Sequence, residues 1–170
     1  MKKENIHIIA TGGTIDSKFN PSTESTKVKP QSGIPDFINN IIQPHFTFSF
    51  EQLVMVDSSE ITDSIRAEII SKIENSSANK IIILHGTNTM VETLNYLEEN
   101  NHNKEKIIFL TGSMIPLDGF TPTDAGFNLG FAIGTILNHI NGNFIAMNGK
   151  IFSPKAVKKN FDIGRFESYS

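Results

Sequence analysis

The sequence predicts an α/β domain whose doubly wound, mainly parallel sheet is flanked by helices. Five short runs are rich in Ile, Leu and Val and lack the alternation of half-exposed strands. Such runs are typical of strands that are covered on both faces. Segments with helical spacing of apolar residues lie between the runs. A regular alternation of strand and helix is typical of the doubly wound fold.

Each element of this fold can be placed on the chain. The predicted strands are residues 6–10, 52–56, 80–84, 106–110 and 144–147. The first predicted helix opens near Pro35 at its first turn, and three more follow strands two to four. The first helix has an apolar stripe of Phe37, Ile38, Ile41 and Ile42. The stripe of the second helix is Ile65, Ile69, Ile70 and Ile73, and that of the third is Met90, Val91, Leu94 and Leu97. The fourth predicted helix is residues 124–139.

Residues 17–33 have no hydrophobic period and are rich in Ser, Thr, Lys and Pro. This composition predicts a long exposed loop. Long loops in compact domains often close over or bind a ligand, although a plain surface insert fits the composition equally well.

The composition argues against nucleic-acid-binding, metal-dependent and membrane proteins. The 170 residues predict a single domain over 1–170. A net charge of −3 without a basic face argues against a nucleic-acid partner. The chain has no cysteine, and its five histidines lack metal-ligand spacing, so we expect neither metal nor cofactor. No signal peptide or membrane-length apolar run is present, which predicts a cytoplasmic protein without a membrane partner.

Each predicted strand is followed by a polar turn, and these turns indicate a binding site. The turns are residues 11–14, 57–60, 85–89, 111–114 and 148–150. In a parallel sheet they leave from one edge, where ligands bind at the switch point of the strand order. One such turn needs no functional explanation, since Gly, Ser, Thr and Asn are common turn residues. Five together predict a site for a small polar ligand.

The nucleophile of such a site would be a serine or threonine hydroxyl. Neither a phosphate-binding loop nor the G-x-S-x-G nucleophile elbow occurs, and there is no thiol. A threonine hydroxyl is weak at neutral pH and needs a neighbouring base.

Two motifs connect the chain to a known family. They are Ala-Thr-Gly-Gly-Thr-Ile at residues 10–15 and Leu-His-Gly-Thr-Asn-Thr-Met at residues 84–90. At these residues the sequence resembles the N-terminal, active-site domain of the L-asparaginase family, with further matches at 57–59, 111–116 and 124–129. The resemblance runs from about residue 6 to about residue 166. It implies hydrolysis of the side-chain amide of asparagine, sometimes of glutamine, by a cofactor-free homo-oligomer.

The resemblance also implies roles for individual residues. Thr14 matches the nucleophilic threonine and Thr87 the second catalytic threonine. Lys159 matches the lysine that activates Thr87, with Lys158 as a rival. The fourth catalytic position is occupied by Asn88. Substrate-binding positions are matched by Gly13, Ser58, Ser59, Gly86 and Ser113.

Three departures keep other functions open. Asn88 stands where the family has an aspartate that pairs with the lysine and holds the substrate ammonium group. Residues 17–33 contain no tyrosine, although the family commonly has one there. The chain is about half the usual length, so we expect no C-terminal domain to complete a neighbour's site. A non-catalytic binder of a small amino acid or amide, or an ammonia-releasing subunit of an amidotransferase-like complex, are therefore alternatives.

Overall fold

A computed structural model describes residues 5–139 and 141–169. Its centre is a sheet of six strands. Across the sheet their order is β4 (Thr47–Val56), β1 (Asn5–Gly12), β5 (Lys80–Leu84), β6 (Ile107–Thr111), β7 (Asn143–Met147) and β8 (Lys150–Phe152). The first five are parallel, and β8 is antiparallel to β7. The predicted fold class is confirmed, and the five predicted strands are the five parallel ones.

The strand order reverses beside β1. The chain passes from β1 to β4 on one side and then crosses over to β5 on the other side of β1. All later strands of the sheet continue in that second direction. The switch point therefore lies between the carboxyl ends of β1 and β5, where doubly wound folds bind their ligands.

Helices cover both faces of the sheet. Ile82 and Leu84 face one apolar core, whereas Ile81 and Ile83 face the other. The first core is closed by α1 (Ile34–Asp36), the π-helical segment that continues it (Phe37–Ile42) and α4 (Ala125–Asn138); the second is closed by α2 (Asp63–Asn75) and α3 (Met90–Asn100). Because the central strands are buried on both faces, most of their positions carry apolar side chains, which explains their apolar runs.

The predicted loop at residues 17–33 is wrong in its first part. Strands β2 (Ser17–Asn20) and β3 (Ser25–Val28) form an antiparallel hairpin. Both strands are largely exposed, so neither face requires apolar residues and the sequence carries no period-2 signal.

A buried carboxylate anchors the base of this hairpin. Asp16 accepts hydrogen bonds from Ser32 Oγ at 2.8 Å and from the Gly33 N–H at 2.9 Å, and its carbonyl accepts from the Lys29 N–H at 2.9 Å. Burial raises the pKa of Asp16, and the hydrogen bonds from Ser32 and Gly33 oppose that rise. The hairpin is therefore fixed at its base, next to the turn that carries Thr14.

The first helix also differs from the prediction. Ile38 is buried, whereas Ile41 and Ile42 are 70% and 49% exposed. The segment is π-helical, with the Gln43 N–H bonded to the Ile38 carbonyl at 2.9 Å. This i→i+5 turn is wider than an α-turn, so residues with α-helical spacing no longer share one face.

A second hairpin follows the sheet. Strands β9 (Val157–Asn160) and β10 (Arg165–Ser168) pair antiparallel, with Lys159 opposite Phe166. Phe166 is buried in the core that α2 and α3 cover. Within residues 5–139 and 141–169, no helix combines the length and the apolar character needed to cross a membrane.

Asn128 of α4 joins the turns that follow β6 and β7. Its amide nitrogen donates to the Gly112 carbonyl at 3.1 Å and to Asp124 Oδ2 at 2.9 Å. Its amide oxygen accepts from the Asn148 N–H at 3.0 Å. The side chain is fully buried.

We predict that Asn128→Ala lowers the free energy of unfolding by about 2–4 kcal/mol, because the buried Gly112 carbonyl loses its donor. Gly130→Ala, on the exposed side of the same helix with no atom within 4 Å of the added Cβ, is the control. It should raise stability by about 0.4–1 kcal/mol. Urea denaturation of both variants measures this, and a loss below about 0.5 kcal/mol for Asn128→Ala would contradict it.

Candidate active site

The turns after β1 and β5 approach each other through their backbones, and Ser58 of the turn after β4 packs on Gly86. A Cβ added to Gly13 would lie 2.4 Å from Gly86 Cα, and one added to Gly86 would lie 2.7 Å from Ser58 Oγ. Gly13 also has a φ of +78°, a conformation that side chains rarely adopt. Only glycines at positions 13 and 86 allow the two turns to come this close. Their contact brings together the turn that carries Thr14 and the turn that carries Thr87.

The turn after β6 closes against the same group. A Cβ on Gly112 would lie 2.3 Å from the His85 carbonyl oxygen. Two residues further on, Met114 Sδ accepts a hydrogen bond from Thr87 Oγ1 at 3.6 Å. The turn after β7 is joined to this region through Asn128. The polar turns therefore lie at one edge of the sheet, on both sides of the switch point.

A lysine from the second hairpin reaches Thr87. Lys159 Nζ donates to Thr87 Oγ1 at 2.8 Å and to Asn88 Oδ1 at 2.6 Å. Lys158 points elsewhere, with its Nζ 5.8 Å from the centre of the Tyr169 ring. Of the two lysines considered from the sequence, Lys159 is thus the one that contacts the threonine.

The surroundings of Lys159 make its proton easier to lose. Burial lowers the pKa of Lys159, and the negative charge of Asp57 partly opposes that change. In the described part of the chain, no carboxylate forms an ion pair with this ammonium group. The Phe161 ring lies 4.9 Å from Nζ. A hydroxyl bonded to a lysine whose pKa is lowered is an arrangement that can activate an oxygen nucleophile.

Ser58 and Ser59 lie in a 3₁₀ turn, Ser58–Glu60, directly after β4. Ser58 is buried; its Oγ accepts from the Asn88 N–H at 3.3 Å and its carbonyl accepts from Thr89 Oγ1 at 2.6 Å. Ser59 is exposed. Ser58 therefore joins the β4 turn to the start of α3, and Ser59 is open to a ligand.

Asp57 is a site residue that the sequence interpretation treated only as part of a turn. Its Oδ1 accepts from Ser59 N–H at 2.9 Å and Ser59 Oγ at 2.7 Å, and its own N–H donates to Glu60 Oε1 at 3.2 Å. Asp57 and Glu60 form a capping box at the start of the 3₁₀ turn. The spacing Asp-x-x-Glu is the sequence signal of a capping box and could have identified the fixed position of Asp57.

Thr14, half-buried, and Asp57 line the same cavity of about 240 Å³. Glu60 also lines it, as do residues of the first hairpin, including Lys27. The cavity is of a size suited to a small polar molecule. Its wall combines a hydroxyl with charges of both signs.

His85 is a structural residue of the site. It is fully buried, its Nδ1–H donates to the Gly86 carbonyl at 2.7 Å, and its Nε2 accepts from Thr93 Oγ1 at 2.9 Å. Thr93 Oγ1 in turn accepts from Arg66 Nε at 3.1 Å. Burial lowers the pKa of His85 to about 4, so the ring is neutral near pH 7. This chain of hydrogen bonds orients the Gly86 peptide next to Thr87.

Ser113 carries an unusual hydroxyl. It is buried, and its Oγ has no hydrogen-bond partner in the described part of the chain. Buried polar groups are normally paired, so this hydroxyl is available to a ligand or a water molecule. Among the residues that the structure describes, no three His, Asp or Glu side chains are placed to hold a metal ion together.

Known proteins are similar to this chain in sequence and in fold. A family model described as "Asparaginase, N-terminal" matches residues 5–167. L-asparaginase 2 of Escherichia coli is 28% identical over 96% of this chain and 49% of its own length. Glutaminase-asparaginase of Acinetobacter glutaminasificans is 31% identical over 95% of this chain and 51% of its own.

A solved structure gives the same picture. The probable cytoplasmic L-asparaginase of Campylobacter jejuni superposes with a TM-score of 0.83 at 29% identity, over 98% of this chain and 53% of that one. The chain thus spans about half the length of the relatives it matches. With the family model covering nearly all of the sequence, the chain belongs to the asparaginase family, to whose N-terminal domain it corresponds.

Proposed function

We propose that this protein hydrolyses the side-chain amide of L-asparagine to L-aspartate and ammonia through a threonine nucleophile. The observation that carries the proposal is the contact of Lys159 Nζ with Thr87 Oγ1 at 2.8 Å, beside the turn that bears Thr14. A hydroxyl, a lysine with a lowered pKa and backbone N–H groups together form the apparatus that acyl transfer requires.

Thr14 is assigned as the attacking group. Two glycines precede it, and it lines the small cavity, whereas Thr87 is buried between a strand and α3. The Thr14 oxygen forms a bond to the amide carbon while its proton passes to the Thr87–Lys159 pair, and the pair gives that proton to the amide nitrogen as the C–N bond breaks and ammonia leaves. Water then attacks the acyl ester and loses a proton to the same pair, which returns a proton to the Thr14 oxygen as the ester C–O bond breaks and aspartate is freed. The N–H groups of Thr14 and Thr87 are assigned to stabilise the oxyanion.

Other residues of the site are assigned to bind the rest of the substrate. Ser58 and Ser59 are assigned to the substrate carboxylate, while Gly13 and Gly86 allow the substrate to approach the backbone. Ser113 is assigned to the amide group. The protein is proposed to act in the cytoplasm and, by likeness to the family, as a homo-oligomer.

Removal of either threonine hydroxyl tests the mechanism. We expect Thr14→Ala and Thr87→Ala each to reduce kcat at least about 100-fold, as loss of a nucleophile or its activating partner does. Thr11→Ser is the matched control, because serine keeps the hydroxyl that donates to the Leu84 carbonyl at 2.8 Å. Mass spectrometry of an acid-quenched reaction should find the acyl adduct on Thr14; an adduct on Thr87 would reverse the two roles.

Asn88→Asp should raise activity towards asparagine, mainly by lowering the Michaelis constant. A carboxylate holds an ammonium group through a charge-assisted bond worth roughly 1.5–3 kcal/mol against about 1 kcal/mol for an amide, or roughly a 2- to 30-fold lower Michaelis constant. Steady-state kinetics measure the change. Unchanged or lower activity would show that the chain is adapted to Asn88.

The same variant should shift the pH profile. The base form of Lys159 is needed, so kcat rises with pH through the pKa of Lys159, which burial places below the ordinary 10.5. A carboxylate at position 88 stabilises the ammonium form and raises that pKa, so the midpoint of the rise should move to higher pH. A midpoint that stays or moves to lower pH would remove Lys159 from the role of base.

Asparagine binding without ammonia release would favour the alternative of a non-catalytic binder, for which the neutral Asn88 is the supporting observation. Calorimetry with asparagine alongside an ammonia assay separates the two functions.

A further inference from the structure

An amino-acid substrate brings a positive charge that Asn88 cannot neutralise. The side chain of Asn88 faces Lys159 and contributes an oxygen without charge, at 2.6 Å from Nζ. An ammonium group placed beside that lysine would be repelled by it. Recognition of the substrate therefore needs a carboxylate elsewhere in the site.

Asp57 is placed to supply that carboxylate. It lines the same cavity as Thr14, and its negative charge also acts on Lys159. The residue thus lies near both parts of the proposed machinery. In the residues that the structure describes, Asp57 takes part in no ion pair, so no cation of the protein is in direct contact with its carboxylate.

The position of the Asp57 carboxylate is fixed by its neighbours. Two hydrogen bonds from Ser59 hold Oδ1, at 2.9 Å and 2.7 Å, and a bond from the Asp57 N–H to Glu60 Oε1 holds the backbone. The side chain remains exposed. An anchored and accessible carboxylate binds a ligand with little loss of side-chain freedom.

The cavity suits the backbone of a free amino acid. Glu60 and Lys27 line it together with Asp57 and Thr14, so charges of both signs surround the space. A zwitterion carries both an ammonium and a carboxylate group. Its ammonium group would be drawn towards the carboxylate of Asp57.

We propose that Asp57 is a specificity-determining residue that binds the α-ammonium group of the amino-acid substrate, a task that a carboxylate at position 88 would otherwise perform. This inference rests on the proposed function, since it concerns the substrate of the same site. It predicts that the turn after β4, rather than the turn after β5, binds the ammonium group of the substrate.

Asp57→Asn tests the charge without disturbing the turn. Asparagine caps a helix start as well as aspartate does, and its side-chain oxygen can still accept from Ser59. The Michaelis constant for asparagine should rise at least about 10-fold, with kcat within about 3-fold. Succinamate, which has the same amide and carboxylate but no ammonium group, should be hydrolysed by both forms within about 3-fold.

Two further variants make the test specific. Asp36→Asn removes a carboxylate from the exposed first helix and should leave both substrates unaffected. Adding Asn88→Asp to Asp57→Asn should restore the Michaelis constant for asparagine to within about 3-fold of its original value. Asn88→Asp should also help more in this background than alone, because alone it duplicates a charge already present.

Equal effects of Asp57→Asn on asparagine and succinamate, or no effect on either, would overturn the inference. If the unaltered protein hydrolyses neither compound, the proposed function fails, and calorimetry then decides the inference separately. Asp57→Asn must in that case weaken binding of asparagine and leave binding of succinamate unchanged; any other pattern rejects the role of Asp57.

Discussion

The close approach of Gly13 to Gly86 is the constraint on which the rest of the site depends. With 2.4 Å between a Cβ at Gly13 and Gly86 Cα, a side chain there would force the β1 and β5 turns apart. Because these turns flank the switch point of the sheet, their contact brings the turn that bears Thr14 beside the turn that bears Thr87. Ser58 then packs on Gly86 from the β4 side, which adds the turn that carries Asp57 and Ser59.

Hydrogen bonds hold the segments on both sides of this contact. Thr87 is held between a buried strand and α3, and its peptide is oriented by the Arg66–Thr93–His85 chain of hydrogen bonds. Thr14 follows two glycines and precedes the exposed first hairpin, whose base is anchored at Asp16. These hydrogen bonds fix the turn that carries Thr87 and the base of the hairpin next to Thr14, which favours a preorganised site.

Much of the fold and part of the site could be predicted from the sequence, for identifiable reasons. Strands buried on both faces leave unbroken apolar runs, and parallel strands gather their following turns at one edge, so the position of the site followed from the pattern. The first hairpin escaped prediction because its exposed strands carry no apolar period. Exposure of Ile41 and Ile42 escaped because a π-helical turn alters the spacing. The choice of Lys159 over Lys158 and the position of Asp57 required tertiary contacts, which adjacent residues in sequence do not distinguish.

Lys159 and Thr87 are proposed to perform proton transfer for a threonine nucleophile, and Lys159→Met tests this role most directly. Methionine keeps the length and apolar stem of the side chain but removes the base. Parallel measurements of ammonia release and of asparagine binding by calorimetry should show kcat reduced at least about 100-fold, with affinity for asparagine within about 3-fold of the original. Turnover that survives Lys159→Met within about 3-fold would contradict the account.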